Sequence, residues 1–190
     1  MRCSNETVRG APGTGFEIVP ASEADYPLVQ NLARFYIYDM AEHAGWNFPP
    51  DGLFDTGDQF ANYWGLPGAR KWLPDWRGFP FLIRFEGHPA GFALVKRILQ
   101  QPLTFDMGEF FIGRQHRRLG LGRRAATALF DRFEGDWEVR EMPSNTAAQA
   151  FWRRIIADYS GGAFTESREP FADYGDREFI VQRFRSLAAR

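Results

Sequence analysis

Cysteine is nearly absent from this chain of 190 residues, which contains only Cys3. A single cysteine can form neither an internal disulfide nor a cysteine-based zinc site, so the fold does not require an oxidising compartment. Cys3 lies in a segment rich in Gly, Ser and Thr, where nothing nearby would activate its thiol or hold it still. We therefore assign Cys3 no catalytic role.

Long apolar runs and an excess of one charge are also missing. No stretch approaches the roughly 18 uninterrupted apolar residues of a membrane span, and the N-terminus lacks the apolar core of a signal peptide. The formal net charge is −1, which argues against nucleic-acid binding through the field of the whole molecule. We expect a soluble, cytoplasmic protein that binds neither membrane nor nucleic acid.

The overall composition is that of an ordinary globular protein. Hydrophobic residues make up 44% and charged residues 25% of the chain, and its length fits one domain with a real core. We see no internal repeat and no low-complexity linker. We predict a flexible N-terminal arm over residues 1–14, where glycine and proline are frequent, and a single domain over residues 15–186.

The hydrophobic patterns predict the element order β-α-α-β-β-β-α-β-α-β-β, which is a mixed α/β domain. The central sheet should contain about six to seven strands flanked by about four helices. A helix should begin near Ser22, with Asp25 three residues later as a capping partner. A second, short helix is predicted over residues 55–63. The apolar face predicted for the first helix consists of Leu28, Leu32, Phe35, Tyr36 and Met40.

The most informative segment runs from Glu109 to Gly122 and reads EFFIGRQHRRLGLG. An apolar strand leads into a turn with Gly120 and Gly122, and a helix begins at once. Glycines allow close approach of a ligand to the backbone, and the first helical N–H groups lack partners within the helix. Together with the helix dipole, these donors form an anion site suited to a pyrophosphate. Positive charge is concentrated around the same turn, at Arg114, Arg117, Arg118, Arg123 and Arg124.

Three interpretations of this segment compete. The simplest is a glycine turn followed by a solvated basic helix start. The second is a dinucleotide-binding fingerprint, since Gly120-x-Gly122-x-x-Ala125 fits the pattern and Glu141 follows about 20 residues later. That fold places its glycines directly after the strand, whereas seven residues separate Ile112 from Gly120 here. Several hairpin strands also precede the motif, where a dinucleotide-binding unit would have its first strand.

The third interpretation is a resemblance to the GNAT family of acyltransferases. The coenzyme motif of that family, Arg/Gln-x-x-Gly-x-Gly/Ala, is similar to residues 117–122. Its Asn-x-x-Ala pattern, followed by an apolar-aromatic pair, is similar to Asn145-x-x-Ala148-x-x-Phe151-Trp152. The element order over residues 16–184 is also that of the family, and the strand sequences resemble an uncharacterised bacterial branch of it. Each motif is weak alone, but together and in order they are specific.

The resemblance implies an acetyl-CoA-dependent N-acetyltransferase that acts on a primary amine of a small molecule and needs no metal. It implies that backbone groups of Phe110, Phe111 and Ile112 pair with the pantetheine arm of the coenzyme. Asn145 would contact the pantetheine or cap its own helix. A non-catalytic acyl-CoA-binding domain and a protein-modifying acyltransferase stay as alternatives, and a homodimer is left open. The implied pyrophosphate site consists of the amides of Arg117, Arg118, Leu119, Gly120, Leu121 and Gly122.

Acyl transfer needs a neutral amine, and deprotonating a lysine-like amine at pH 7 costs roughly 4 kcal/mol. Glu109 is the acidic residue nearest the centre of the coenzyme strand, so it is our candidate general base. A salt bridge at the strand edge is an equally good explanation of this glutamate. The general acid usual in the family, a tyrosine seven residues after the asparagine, is replaced by Trp152, which has no titratable proton. Either another group such as Tyr159 or solvent would then protonate the leaving thiolate.

Aromatic residues make up 16% of the chain, and many of them fall between residues 36 and 76. Aromatic rings with a few carboxylates form a suitable pocket for a cationic amine. We predict that Tyr36, Asp39 and Trp64 bind the acceptor, with Trp72 and Trp76 nearby. The alternative for Tyr36 and Trp64 is a place in the hydrophobic core.

Overall fold

The computed structural model describes residues 7–9, 15–57, 59–66, 76–98 and 104–186. Most of the predicted N-terminal arm over residues 1–14 lies outside these ranges, and so does Trp72. The described residues form one mixed α/β unit, which confirms the predicted fold class.

Within the described ranges, eight strands form one sheet in the order β1-β2-β3-β4-β5-β6-β8-β7. Neighbouring strands are antiparallel, except that β5 and β6 are parallel. The strands are β1 (Val8–Arg9), β2 (Phe16–Pro20), β3 (Trp76–Phe85), β4 (His88–Ile98), β5 (Thr104–Ile112), β6 (Gly135–Glu141), β7 (Phe164–Phe171) and β8 (Arg177–Ser186).

The described residues contain three α-helices, namely α1 (Tyr26–Ala44), α2 (Leu121–Arg132) and α3 (Thr146–Ser160). The short helix predicted over residues 55–63 is absent there, and only a 3-10 turn forms at Ala61–Trp64. Asp55 accepts a hydrogen bond from the Gly57 amide at 2.9 Å, and this local turn competes with helix formation. Among the described helices, none is long and apolar enough to cross a membrane.

The predicted apolar face of α1 is displaced from the face that the helix buries. The residues that α1 buries are Val29, Ala33, Ile37 and Ala41, at a spacing of four. Phe35, which the prediction placed on the buried face, is 64% exposed. The small side chains of the two alanines allow the helix to approach the sheet closely, and the larger apolar residues pack along the flanks of this contact.

Two hydrophobic cores lie on opposite faces of the sheet. One core packs the sheet against α2 and α3, and the other packs it against α1. Strand β4 serves both cores because its side chains alternate. Ala93 and Val95 belong to the core under α2 and α3, whereas Phe92 and Leu94 belong to the core under α1.

The parallel strands β5 and β6 pair only at their beginnings. Residues 104–106 pair with residues 136–138, and no further pair joins the two strands. Beyond this point β5 continues along β4 as far as Ile112, while β6 continues along β8 as far as Glu141. The sheet therefore opens into a split between β5 and β6, and the backbone edges that face the split are unpaired there.

A β-bulge at Gly108 changes which residues of β5 face each core. Before it, Met107 pairs with Val95, and after it Glu109 pairs with Leu94, so Gly108 is the extra residue. Met107 therefore faces α2 and α3, whereas Glu109 faces α1. A Cβ at Gly108 would lie 2.0 Å from the hydroxyl of Tyr63, so any larger residue here would displace that side chain.

We predict that Gly91→Ala destabilises the sheet beside this split. A Cβ at Gly91 would stand 2.0 Å from the carbonyl oxygen of Phe111, and neither strand can move without breaking ladder hydrogen bonds. We expect the free energy of unfolding to fall by about 2–3 kcal/mol in urea titrations. Gly113→Ala is the matched control, because its Cβ would be 3.4 Å from the nearest atom. Equal stability of the two variants would contradict the register of β4 and β5.

Candidate active site

Two connected cavities meet at the split between β5 and β6. The first, which we call the outer groove, has a volume of about 870 Å³ and runs along the end of β5, the turn before α2 and the first turns of α3. The second, the inner cavity, has a volume of about 650 Å³ and extends over residues 106–110 of β5 and 140–145 around the end of β6. Both are bounded by α1, and Tyr36, Phe110 and Asn145 line both of them.

The outer groove ends at a row of backbone amides without acceptors. The Arg117 amide donates to the Arg114 carbonyl oxygen at 3.2 Å, and the Arg124 amide donates to that of Gly120 at 3.1 Å. Between them, the amides of residues 118–123 have no hydrogen-bond acceptor in the described part of the chain. Arg118 and Gly120 adopt the left-handed conformation, with φ values of 65° and 75°, which shapes the turn before α2. The arrangement suits a pyrophosphate.

Gly122 allows α2 to pack closely against α3 and leaves the backbone of the turn accessible from the outer groove. A Cβ at this position would lie 3.1 Å from the ring of Phe151 on α3 and 3.7 Å from the side chain of Ile112. The glycine thus allows the first turn of α2 to approach α3 at the floor of the outer groove. A larger side chain here would fill groove space and displace the Phe151 ring.

Asp39 of α1 forms ion pairs with two arginines of the turn before α2. Its carboxylate accepts hydrogen bonds from Arg114 at 2.7 and 3.1 Å, and it also pairs with Arg117. Arg117 in turn donates to the Ile112 carbonyl oxygen at 2.9 Å. Asp39, which we predicted to bind the acceptor, therefore lines the outer groove and not the inner cavity. Its contacts connect α1 to the turn.

Phe110, Phe111, Ile112 and Asn145, which the resemblance implies for coenzyme binding, all border the cavities. Phe110 faces α3 and packs against Trp152, with ring centroids 5.0 Å apart. Phe111 and Ile112 line the outer groove. The side chain of Asn145 accepts a hydrogen bond from the Ala148 amide at 3.1 Å, so the predicted helix cap is present. Asn145 also borders both cavities.

Glu109 lies in the inner cavity without an ion-pair partner among the described residues. Burial raises the pKa of its carboxyl group to about 7. A hydrogen bond with the Tyr36 hydroxyl and the positive charge of Lys96 lower this pKa, whereas the negative charge of Asp106 raises it. Burial is the largest of these effects, so at neutral pH the group is divided between its acid and base forms. This titration is what a general base requires.

Tyr36 combines a core position with a site position. Its ring packs edge-on against Phe92 and Phe111, with centroids 5.9 and 6.2 Å away, in the core under α1. Its hydroxyl reaches Glu109, and burial followed by the charge of Glu109 raises the tyrosine pKa well above its usual value. The tyrosine therefore stays protonated and acts as a hydrogen-bond donor to the carboxylate.

Two further residues considered from the sequence lie away from both cavities, and a third lines the inner cavity. The indole N–H of Trp64 donates to the carbonyl oxygens of Ala21 and Ser22 at 3.1 and 2.8 Å, and Trp64 lines neither cavity. The Tyr159 hydroxyl donates to Asp131 at 2.9 Å, also away from both cavities. Trp152 does line the inner cavity, where its family counterpart would place a phenol.

Sequence reasoning missed a line of charged residues across the face of the sheet that carries α1. Each acid bridges to a base on the same or the neighbouring strand, and the series reaches the floor of the inner cavity at Lys96, Asp106 and Arg140. Charged residues that alternate with apolar ones in a strand are normally interpreted as facing solvent. Only the opposite charges on neighbouring strands, once their register is known, would have indicated these ion pairs. The series is Lys96, Asp106, Arg140, Glu138, Arg183 and Glu169.

Known proteins share this architecture. The chain has a TM-score of 0.57 and 17% identity with an Escherichia coli N-acetyltransferase of a ribosomal-protein alanine, covering 92% of this chain and 96% of that one. A chimera of a spermidine N-acetyltransferase from Vibrio cholerae gives a TM-score of 0.57 at 12% identity, with 91% and 96% covered. A Salmonella typhimurium structure containing its cofactor acetyl-CoA gives 0.57 at 16% identity, with 92% and 96% covered. At these identities the likeness establishes the fold.

No curated protein matches the chain. A family model described as the Acetyltransferase (GNAT) family does match it, over residues 37–156. The matched region begins within α1 and includes the split, the turn before α2 and most of α3. It therefore contains most of the residues that line the two cavities. The resemblance seen in the sequence is confirmed, and the chain is an acyltransferase that belongs to the GNAT family of acetyltransferases.

Proposed function

We propose that this chain transfers the acetyl group of acetyl-CoA to a primary amine of a small molecule, with Glu109 as the general base. The observation that supports the proposal is the enclosed carboxyl group of Glu109, which lies at the split and forms no ion pair among the described residues. A domain that only binds acyl-CoA would have no use for such a group. We also propose a cytoplasmic location, because the chain needs no oxidising compartment.

The outer groove has the properties needed for the acyl donor. The free amides of residues 118–123 would hold the pyrophosphate, and the arginines of the same turn would add attraction for the phosphates. The unpaired backbone edge of Phe110, Phe111 and Ile112 would form hydrogen bonds with the amides of the pantetheine arm, as an added strand does. Asn145 lies where the two cavities meet and would contact this arm.

Glu109 would remove a proton from the amine as its nitrogen attacks the thioester carbonyl carbon. A general base of this kind contributes about 10²–10⁴ in rate, and its efficiency is greatest when its pKa lies near the working pH. Tyr36 would orient the carboxylate by hydrogen bonding, and Lys96 would favour the ionised form from β4. Tyr36 and Lys96 lower the pKa of Glu109, but burial raises it by more, so the carboxylate remains basic enough to accept the proton.

The inner cavity supports a small acceptor. Its volume of about 650 Å³ falls within the usual range for small ligands, which is about 300–1,000 Å³. Its wall contains the aromatic residues Tyr36, Trp46, Tyr174 and Phe179, whose faces attract a cationic amine before it is deprotonated. Of the residues predicted to bind the acceptor, Tyr36 keeps this role in the proposal. Asp39 would instead orient the arginines of the outer groove, and Trp64 would support α1.

We predict that Gly122→Val weakens CoA binding at least tenfold in titration calorimetry. The added side chain would occupy the outer groove and push against the Phe151 ring. A thermal melt of the same variant reports any loss of stability separately. NAD serves as the second ligand, and we expect no binding to either protein. Tight NAD binding without CoA binding would support the dinucleotide interpretation of Gly120-x-Gly122-x-x-Ala125 and contradict the proposed function.

We predict that Glu109→Gln lowers kcat/KM by about 10²-fold or more near pH 7, with CoA affinity nearly unchanged. The amide keeps the shape of the side chain and removes its basicity. The loss should shrink at high pH, where free amine becomes abundant. Glu169→Gln is the control, because Arg183 lowers the pKa of Glu169 to about 2 and that carboxylate cannot accept a proton at neutral pH. Equal activity of Glu109→Gln and wild type would show that Glu109 is structural.

We predict that Tyr36→Phe moves the acidic limb of the pH–rate profile to higher pH. In the wild type, kcat/KM should rise through about pH 7 as Glu109 loses its proton. The Tyr36 hydroxyl lowers the pKa of this carboxyl, so its removal raises that pKa and the rate loss is greatest in acid. Tyr38→Phe, on the exposed side of α1, should leave the profile unchanged. An unshifted limb in Tyr36→Phe would exclude Glu109 as the titrating base.

A further inference from the structure

A second carboxyl group in the inner cavity is left without any role in the proposed reaction. Glu141 ends β6 and is only 4% exposed. Neither of its carboxylate oxygens has a hydrogen-bond partner among the described residues. Buried polar groups are nearly always paired, so an isolated one needs an explanation. Glu141 also lines the cavity that holds Glu109, and it does so from the opposite strand of the split.

The register of the split sets the two glutamates at matching positions. Asp106 and Glu138 form the last pair between β5 and β6, and each glutamate lies three residues beyond its own member of that pair. The bulge at Gly108 turns Glu109 towards α1. Glu141 lies two residues after Val139, which faces α2 and α3, so it shares that face. The two carboxyl groups therefore approach the split from opposite faces of the sheet.

The leaving group of the reaction needs a proton that the expected residue cannot supply. When the carbon–sulfur bond of the thioester breaks, its electron pair goes to sulfur and produces a thiolate. Trp152 lies where the family places a tyrosine, and an indole does not donate its proton at accessible pH. The Tyr159 hydroxyl donates to Asp131 instead and lies outside both cavities.

We propose that Glu141, in its protonated form, donates a proton to the thiolate of coenzyme A as it leaves. This inference rests on the proposed function. The amine nitrogen forms the new carbon–nitrogen bond, Glu109 accepts the proton of the amine, the carbon–sulfur bond breaks, and the O–H proton of Glu141 passes to sulfur. Glu109 then releases its proton to water and Glu141 takes one up, so the overall reaction of neutral amine and thioester gives amide and thiol.

The surroundings of Glu141 favour the acid form that this role requires. Burial and, to a smaller extent, the negative charge of Glu166 on β7 raise the pKa of its carboxyl group to about 8, although Arg153 on α3 acts to lower it. Gln182 on β8 is also buried, and its side-chain carbonyl oxygen has no hydrogen-bond partner among the described residues. Because no hydrogen bond holds the side chain in place, turning it towards the thiol breaks none.

Glu141→Gln tests the inference directly. If Glu141 is the donor, the wild-type profile of kcat should be bell-shaped, with a fall at alkaline pH as this acid ionises. The Gln variant should lose at least tenfold in kcat at its optimum and should lack the alkaline fall, with unchanged CoA affinity. Gln supplies amide donors to the same buried site, so we expect the variant to fold, and its melting temperature checks this.

Glu166→Gln provides a readout that a merely structural role would not produce. Glu166 lines neither cavity, and its carboxylate forms an ion pair with Arg153 of α3. Replacing it removes the negative charge that raises the pKa of Glu141, so the alkaline fall should move to lower pH. Activity below pH 7 should change little. The expected pair of results is a lost alkaline limb in Glu141→Gln and a displaced one in Glu166→Gln.

Other results would overturn the inference in recognisable ways. Full activity of Glu141→Gln with an unchanged profile would show that Glu141 donates no proton to the thiolate. An alkaline limb that persists in Glu141→Gln would assign it to another acid. The acetyl transfer activity of the wild type is measured before that of either variant. A wild type that transfers acetyl to no amine would contradict the proposed function itself.

Discussion

Asp106 carries an almost completely enclosed carboxylate at the point where β5 and β6 stop pairing. Arg140 of β6 reaches across to it, and Lys96 of β4 pairs with it at 3.2 Å from the other side. Removing one partner of a buried ion pair leaves an uncompensated charge, which costs about 3–5 kcal/mol. The contact therefore fixes the base of the split, from which the two strands diverge towards different neighbours.

The chemistry depends on the two features that follow the base of the split, which are the unpaired strand edges and the bulge at Gly108. Beyond it, the edges of β5 and β6 have no strand partner, which leaves a place for an extended ligand with its own amide groups. The bulge at Gly108, held against the Tyr63 hydroxyl, then decides that Glu109 faces the cavity under α1 and not the core under α2 and α3. Without this one extra residue in β5, the carboxyl group of Glu109 would face the core under α2 and α3 and not the cavity.

Much of the fold could be predicted from the sequence because its signals are local. The continuous apolar run of β4, the helical spacing of α2 and α3 and the cap at Asn145 each depend on neighbouring residues alone. The buried face of α1 was missed because Ala33 and Ala41 carry little hydrophobic signal. The helix predicted over residues 55–63 was wrong because a side-chain turn at Asp55 competes with it.

Those parts of the candidate site that lie in one continuous segment could be predicted, and those that depend on contacts between distant segments could not. The turn before α2 and the strand before it form one continuous segment, so they could be read together. The partners of Asp39, the ion pairs of Asp106 and the isolation of Glu141 depend on contacts between distant segments. No spacing along the chain reveals that β6 separates from β5 after Glu138, and this separation is what makes Glu141 a member of the same cavity as Glu109.

The split as the binding place of the acyl donor is the central claim, and amide hydrogen exchange tests it most directly. Antiparallel pairing with β4 occupies only alternate amides of β5, so the others between Glu109 and Ile112 point into the split and should exchange quickly. Saturating CoA should slow exchange at these amides and at residues 118–123, with little change in β7. CoA binding that leaves exchange in the split unchanged would contradict the claim.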